Sequence, residues 1–386
     1  MTKSLFSHLE VWRARFPLRL KFSHHLAIRD EAESLILVAK TFDGHRGFGQ
    51  VLPRSYLTGE TLDSSMSAIR DRWWPRLIAV RPPAISDFSS CLDAFRPLFA
   101  EADQLRLNAS YAAVEAAALD AMARRFDFSL TPVGDTRNAN TPLVGVIGAM
   151  RPGRAAWLAR VLKWLGYRRF KVKMGADGDA DARLLEAVRG VIGPTAWLAV
   201  DANQAWEPEE AERRAKDLRR FGVSLIEEPV VASSGKGFDY AELERLLQID
   251  VMADESICTI ADADELLKHG SPSWWNLRFG KNGGFAGVVE LGKMARDNNI
   301  NVYGGVLVGE TSALAAAGWA ALPRAGVACM EYGFPRFFLK GDPFRGGPGG
   351  FRGTMTVPPI SRPGLGVSLK AGLLERVAVR EWIGKV

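Results

Sequence analysis

A barrel of eight parallel strands with helices between them, an α/β fold, is what this 386-residue sequence predicts. Three observations carry that expectation. From about residue 141, short apolar runs alternate with amphipathic helical stretches. The runs are TPLVGVIG, RRFKVKMG, TAWLAVDAN, VSLIEEP, DVMADES, SWWNLRFG, INVYGG and GVACMEYG. Such alternation is the mark of parallel βα units. The second observation is spacing: Lys173, Asp201, Glu227, Asp254, Arg278 and Gly305, each near a strand end, are 28, 26, 27, 24 and 27 residues apart. The third is size, since about 215 residues hold all eight strands, near what a (β/α)8-type barrel requires. A doubly wound sheet also alternates, but it does not need eight similar units.

The first 125 residues read as a smaller α+β unit. Strand-like alternation covers 9–22 and 33–42, and Asp43-Gly44 in TFDGHRGFG supplies a hairpin turn to a third strand. Helical stretches follow at about 60–79 and 105–125, the second rich in alanine. Trp73 and Trp74 in the first are expected to be packing residues.

Composition narrows the function classes. Hydrophobic residues make up 47% and charged residues 24%, the balance of a globular protein. No apolar run approaches the roughly 18–20 residues of a membrane span, and the N-terminus lacks the apolar core of a signal peptide. Cys91, Cys258 and Cys329 form no CxxC pair, a pattern of a reducing compartment without a zinc site. A cytoplasmic location is therefore expected. The net charge of +6 is spread over helices such as EEAERRAKDLRR (209–220), where acids and bases mix. That is a solvated face and not a nucleic-acid footprint. The expected partners are a small carboxylate substrate and further copies of the chain, with neither nucleic acid nor membrane.

Functional side chains in such a barrel gather at the C-terminal ends of the strands. Those ends carry, in order, Lys171 and Lys173, Asp201, Glu227, Asp254 and Arg278. Lys171 and Lys173 are two apart, so both point to one side of their strand. Three successive strands end in carboxylates, which would repel unless neutralised. A hard divalent cation with oxygen ligands does this, Mg²⁺ foremost and Mn²⁺ as the alternative.

The barrel region resembles the enolase superfamily, in the subgroup of muconate lactonizing enzymes, dipeptide epimerases and o-succinylbenzoate synthases. The matching pieces are K-V-K at 171–173, D-A-N at 201–203, I-E-E-P at 226–229, A-D-E-S at 253–256 and K-N-G-G at 281–284. PLRLKFSHHLA (17–27) and GLGVSLK (364–370) are similar to that family's capping-domain start and C-terminal return. The resemblance implies a modified (β/α)7β-type TIM barrel at 126–355. It also implies an α+β capping domain at 1–125 and a C-terminal segment, 356–386, that returns to it. It further implies that Asp201, Glu227 and Asp254 bind the metal and that Lys173 removes the proton α to a substrate carboxylate. Lys171 would hold the Lys173 pKa down by like-charge repulsion. A Lys or His base working with Mg²⁺ is the pairing already described for this superfamily. Glu228 and Glu255 are expected to orient or pair.

One position departs from that pattern. The subgroup's epimerases and lactonizing enzymes carry a lysine on the sixth strand where this chain has Arg278. Arginine stays protonated in almost any site, so it is ill suited to be a second base and better suited to clamp a carboxylate or stabilise an ene-diolate. The candidate catalytic residues are thus Lys171, Lys173 and Arg278. None of the five histidines lies at the seventh strand, and the eighth lacks an Asp-x-Asp pair, with Glu331 the nearest replacement. His24 and Arg54, in capping-domain loops, join Glu331 as candidate substrate contacts. One good base favours cycloisomerisation or syn β-elimination. Racemisation or epimerisation of an amino acid or dipeptide is the alternative, and a non-catalytic metal-binding barrel is the remoter one.

Overall fold

The computed structural model describes residues 4–24, 27–80, 87–131, 141–175, 177–231, 238–348 and 362–386. In the N-terminal part three antiparallel strands, β1 (Phe6–His24), β2 (Ala27–Thr41) and β3 (Arg46–Val51), are joined by the C-terminal strand β14 (Ala378–Lys385) on the free side of β1. The burial alternation along β1 changes phase between Val11 and Trp12, where its pairing with β14 shifts register. A bulge there turns the next side chains back onto the core. The Asp43-Gly44 turn is present, with Gly44 at φ 94°.

The long helix Asn108–Arg125 explains its own alanine content. It packs on β3 at Gly47 and Gly49, where an added Cβ would lie 2.0 Å from the carbonyl oxygens of Ala117 and Ala113. Backbones this close leave room for no side chain on the strand. Gly49→Val should therefore cost about 3 kcal/mol by overpacking. Denaturant unfolding measures it, and an unchanged midpoint would mean that the helix can step aside. Two buried acids on the same helix tie the molecule together. Asp120 accepts from the backbone N–H groups of Phe48 and Leu365 and pairs with Arg124. Glu115 accepts from Phe285 and Ala286 at the start of a barrel helix.

The helix expected at 60–79 is broken. Leu62–Ala68 is α-helical, Ile69–Trp73 forms a wider π turn, and Trp74–Leu77 resumes. Pro75 has no N–H and its ring crowds the carbonyl four residues back, which a widened turn relieves. Trp73 and Trp74 are buried, Trp73 donating to the Ser110 hydroxyl.

Eight parallel strands follow: β4 (Val144–Ile147), β5 (Arg169–Lys173), β6 (Trp197–Asp201), β7 (Leu225–Glu227), β8 (Asp250–Ala253), β9 (Trp274–Leu277), β10 (Asn301–Gly304) and β11 (Cys329–Met330). They lie in sequence order, and a parallel bridge from Leu143 to Met330 brings the ends together. Each expected run holds one of them. Val144, Ala199, Leu225, Met252, Trp274, Tyr303 and Cys329 form an apolar cluster of their own, with no member in the larger core. These come from seven of the eight strands, as a filled barrel interior requires. A short ribbon, β12 (Phe344–Gly346) with β13 (Val367–Leu369), precedes β14. The fold is a TIM-barrel-like α/β domain capped by an α+β sheet that the C-terminus completes.

Candidate active site

The parallel register sets the site. Lys173 is the cross-strand neighbour of Asp201, and Asp201 of Glu227, so three of the expected residues share one row at the mouth. On β5 Phe170 and Val172 pack into the main core, while the two lysines between and after them face the interior. Lys173 donates to Asp201 Oδ2 at 2.6 Å and to Asn203 Oδ1 at 3.0 Å. Lys171 lies deeper, paired with Glu227 and, at 2.5 Å, with Glu331, and its ammonium is 4.9 Å from the Tyr303 ring centroid. Burial alone would lower the Lys171 pKa, but Glu227 and Glu331 outweigh it and raise it above the usual lysine value. Two carboxylates therefore balance its charge. Its repulsion of Lys173 is weaker than the K-x-K spacing alone implies.

Asp201, Glu227 and Asp254 are fully buried. Burial would raise the Asp201 pKa, but Lys173 and Lys171 bring it below the usual value. Burial would likewise raise Asp254, and there Arg278 and Lys281 prevail and hold it low. Glu227 goes the other way, to about 8, pushed by burial and Asp201 against the pull of Lys171. Among the described residues no three acidic, histidine or cysteine side chains have converged as metal ligands, because cations lie between the carboxylates.

The residues nonetheless fit a hard divalent ion. The donors are all carboxylate oxygens. Around the mouth Asp201, Glu227, Asp254, Glu255, Glu310 and Glu331 face Lys171, Lys173, Arg278 and Lys281, six potential negative charges against four positive. Burial pushes Glu310 as well as Glu227 up to about 8.

Arg278 does not stand clear over the mouth. Its Nη2 lies on Asp254 Oδ2 and 3.5 Å from Glu227 Oε1. Arg54 is also committed elsewhere. Its guanidinium donates to the Val308 carbonyl at 2.7 Å and the Pro53 carbonyl at 3.0 Å, joining the cap to the segment after β10. Glu331 follows β11, accepting from Tyr303 and Lys171. The His24 side chain lies outside the described residues.

Asn276 and Glu310 had no assigned role in the sequence reading, whereas Glu228 was expected to orient or pair and Lys281 to have a structural role in its loop. Asn276 donates to Glu227 Oε1 at 2.7 Å. It is two residues before Arg278, so the alternation that pairs Lys171 with Lys173 also places it inward. Glu228, at φ 37°, turns its carboxylate onto the backbone N–H of Asp254 and the hydroxyls of Tyr240 and Ser256. It thereby fixes where β8 ends. Lys281 donates to Asp254 Oδ1 at 2.9 Å and to two carbonyls, of Asp254 and Asn276. Glu310 accepts from Leu307 N–H.

Residues 154–373 match the family described as "Enolase C-terminal domain-like". The chain belongs to the enolase superfamily. Within it, the chain is 30% identical over 342 residues to a hydrophobic dipeptide epimerase of Citrifermentans bemidjiense, covering 85% of this chain and 88% of that one. It is 26% identical over 330 residues to muconate cycloisomerase 1 of Pseudomonas putida, covering 82% and 84%. In three dimensions it superposes on a dipeptide epimerase from Cytophaga hutchinsonii, complexed with Mg and the dipeptide D-Ala-L-Val. The TM-score is 0.79 at 22% identity, over 97% of this chain and 99% of the other. These place it in the muconate lactonizing enzyme and dipeptide epimerase subgroup, as an enolase-superfamily enzyme of the isomerase or lyase type.

Proposed function

We propose that this enolase-superfamily protein removes the proton α to the carboxylate of a small acid, with Mg²⁺ as cofactor and Mn²⁺ as a possible substitute. The observation that carries the reading is the row Lys173, Asp201, Glu227 at the barrel mouth, with an ammonium beside buried carboxylates. Asp201, Glu227 and Asp254 hold the metal, which when bound supplies electrostatic stabilisation of the ene-diolate. Lys173 takes the α-proton, and Asn203 and Asp201 fix where its ammonium sits. Lys171 positions Glu227 and Glu331, so its part is to hold the carboxylates in register. Glu331 and His24 are kept as substrate contacts, whereas Arg54 acts through the segment that it anchors.

With one titratable amine at the α-carbon, the reaction is cycloisomerisation or syn β-elimination. Epimerisation is favoured by one observation, the similarity to the C. bemidjiense epimerase, and is opposed by the arginine at position 278. The working units are a cap of residues 1–125 with 356–386 and a catalytic barrel of 126–355. Free, buried Cys91, Cys258 and Cys329 support a cytoplasmic setting, and no helix among the described residues is long and apolar enough to cross a membrane. Trp157 and Trp164, two turns apart on the helix Pro152–Trp164 and 60% and 83% exposed, support association of copies. Light scattering tests that.

Calorimetric titration with Mg²⁺ tests the metal centre. Asp201→Asn should weaken binding at least about tenfold, or about 1.4 kcal/mol. Unchanged affinity would remove Asp201 from the ligand set.

A further inference from the structure

Arg278 presents an imbalance within its own side chain. One end of its guanidinium lies on Asp254 and near Glu227, while its Nε is buried with no hydrogen-bond partner. Beside it, Asn276 Oδ1 is also buried and unpartnered. The two orphaned atoms border the same spot. A Cβ added to Gly305 would lie 2.9 Å from Arg278 Nε and 2.3 Å from Asn276 Oδ1. The arginine stem thus passes over a glycine that leaves it room. A guanidinium is permanently charged and carries five N–H donors, so a pose that leaves a buried donor unmatched is a costly one to keep.

The oxygens that Arg278 covers belong to two of the three carboxylates proposed to bind the metal, and this inference rests on that reading. A fixed cation and a divalent ion cannot share Asp254 Oδ2 without strong repulsion. Glu331, Glu255 and Glu310 are the other carboxylates whose charge reaches the guanidinium. Of these, Glu310 and Glu331 flank the crevice that Gly305 helps to line.

We infer that Arg278 is a built-in counter-ion for the metal-free protein. A divalent cation arriving at Asp201, Glu227 and Asp254 displaces its guanidinium from Asp254 and Glu227 toward the Gly305 side of the mouth. Metal binding then does two things at once. It fills the carboxylate site, and it frees a bidentate donor to meet a substrate anion. The cost is metal affinity, because the incoming ion must break an existing charge pair.

Calorimetric titration of Mg²⁺ into wild type, Arg278→Met and Asp201→Asn tests the inference without any substrate. Arg278→Met should bind Mg²⁺ at least about tenfold more tightly than wild type, while Asp201→Asn binds more weakly. Equal or weaker binding by Arg278→Met, with Asp201→Asn still impaired, overturns the counter-ion role and leaves the metal site standing. No binding by any of the three overturns both. Should Arg278→Met fail to fold, ¹⁵N-arginine spectra of the wild type answer the same question. The Nε–H signal that is missing in Arg278→Lys should shift as Mg²⁺ is added, and a signal that stays fixed through saturation overturns the displacement.

Discussion

Replacing Lys173 by alanine should abolish exchange of the substrate α-hydrogen in deuterated water, a loss of about a thousandfold or more. The proton of a carboxylate's α-carbon is a very weak acid, so its removal needs both a base at hydrogen-bond distance and stabilisation of the charge that develops. Lys173 stands in the row of carboxylates with its side chain 11% exposed, against 3% for Lys171. Lys171 cannot take over, because Glu227 and Glu331 hold its ammonium below the mouth. Lys281 cannot either, since Asp254 and two backbone carbonyls fix it in the wall. Mass spectrometry of recovered substrate gives the exchange rate. Mg²⁺ binding by the variant is measured alongside, because Lys173 also neutralises Asp201. Exchange near the wild-type rate in a variant that still binds the metal would mean that another group is the base.

What could be read from the sequence follows from what repeats. Each βα unit carries its own apolar run and its own amphipathic helix, so all eight barrel strands, and the inward side of β5, were legible one unit at a time. The row Lys173, Asp201, Glu227 was legible for the same reason, since in-phase residues of successive parallel strands become neighbours. Features that depend on two distant segments were not legible. Asp120 binding Phe48 and Leu365, and Glu115 binding the start of a barrel helix, are contacts across about 72, 245 and 170 residues of chain, and no local pattern announces them. Arg54 was a candidate substrate contact because its capping-domain loop is in reach of a substrate. Its capture by the Val308 carbonyl depends on a segment 254 residues away. Arg278 shows the same limit at the mouth itself. Its strand and its inward direction could be read, but its choice among the five carboxylates around it could not.

That choice bears on the stereochemistry. Substrate incubated with the wild type in deuterated water should exchange its α-hydrogen with retention, and the opposite configuration should form at least about a hundredfold more slowly. A 1,1-proton transfer needs a base on each face of the α-carbon, one to take the proton and one, already protonated, to return it. Lys173 serves one face. No second titratable amine is proposed for the other face, since the end of β9 carries a guanidinium, which does not release a proton at any pH the protein survives. Neither position of Arg278, on Asp254 or displaced toward Gly305, makes it a base. Arg278→Lys restores a titratable amine on that strand and should switch on slow epimerisation while exchange through Lys173 continues. Polarimetry of the reaction, with deuterium content read by mass spectrometry, separates the cases. Efficient racemisation by the wild type would overturn the one-base reading in favour of the chemistry named for its epimerase relative. Retention would mean instead that Lys173 works on one face of the α-carbon with no base opposite it.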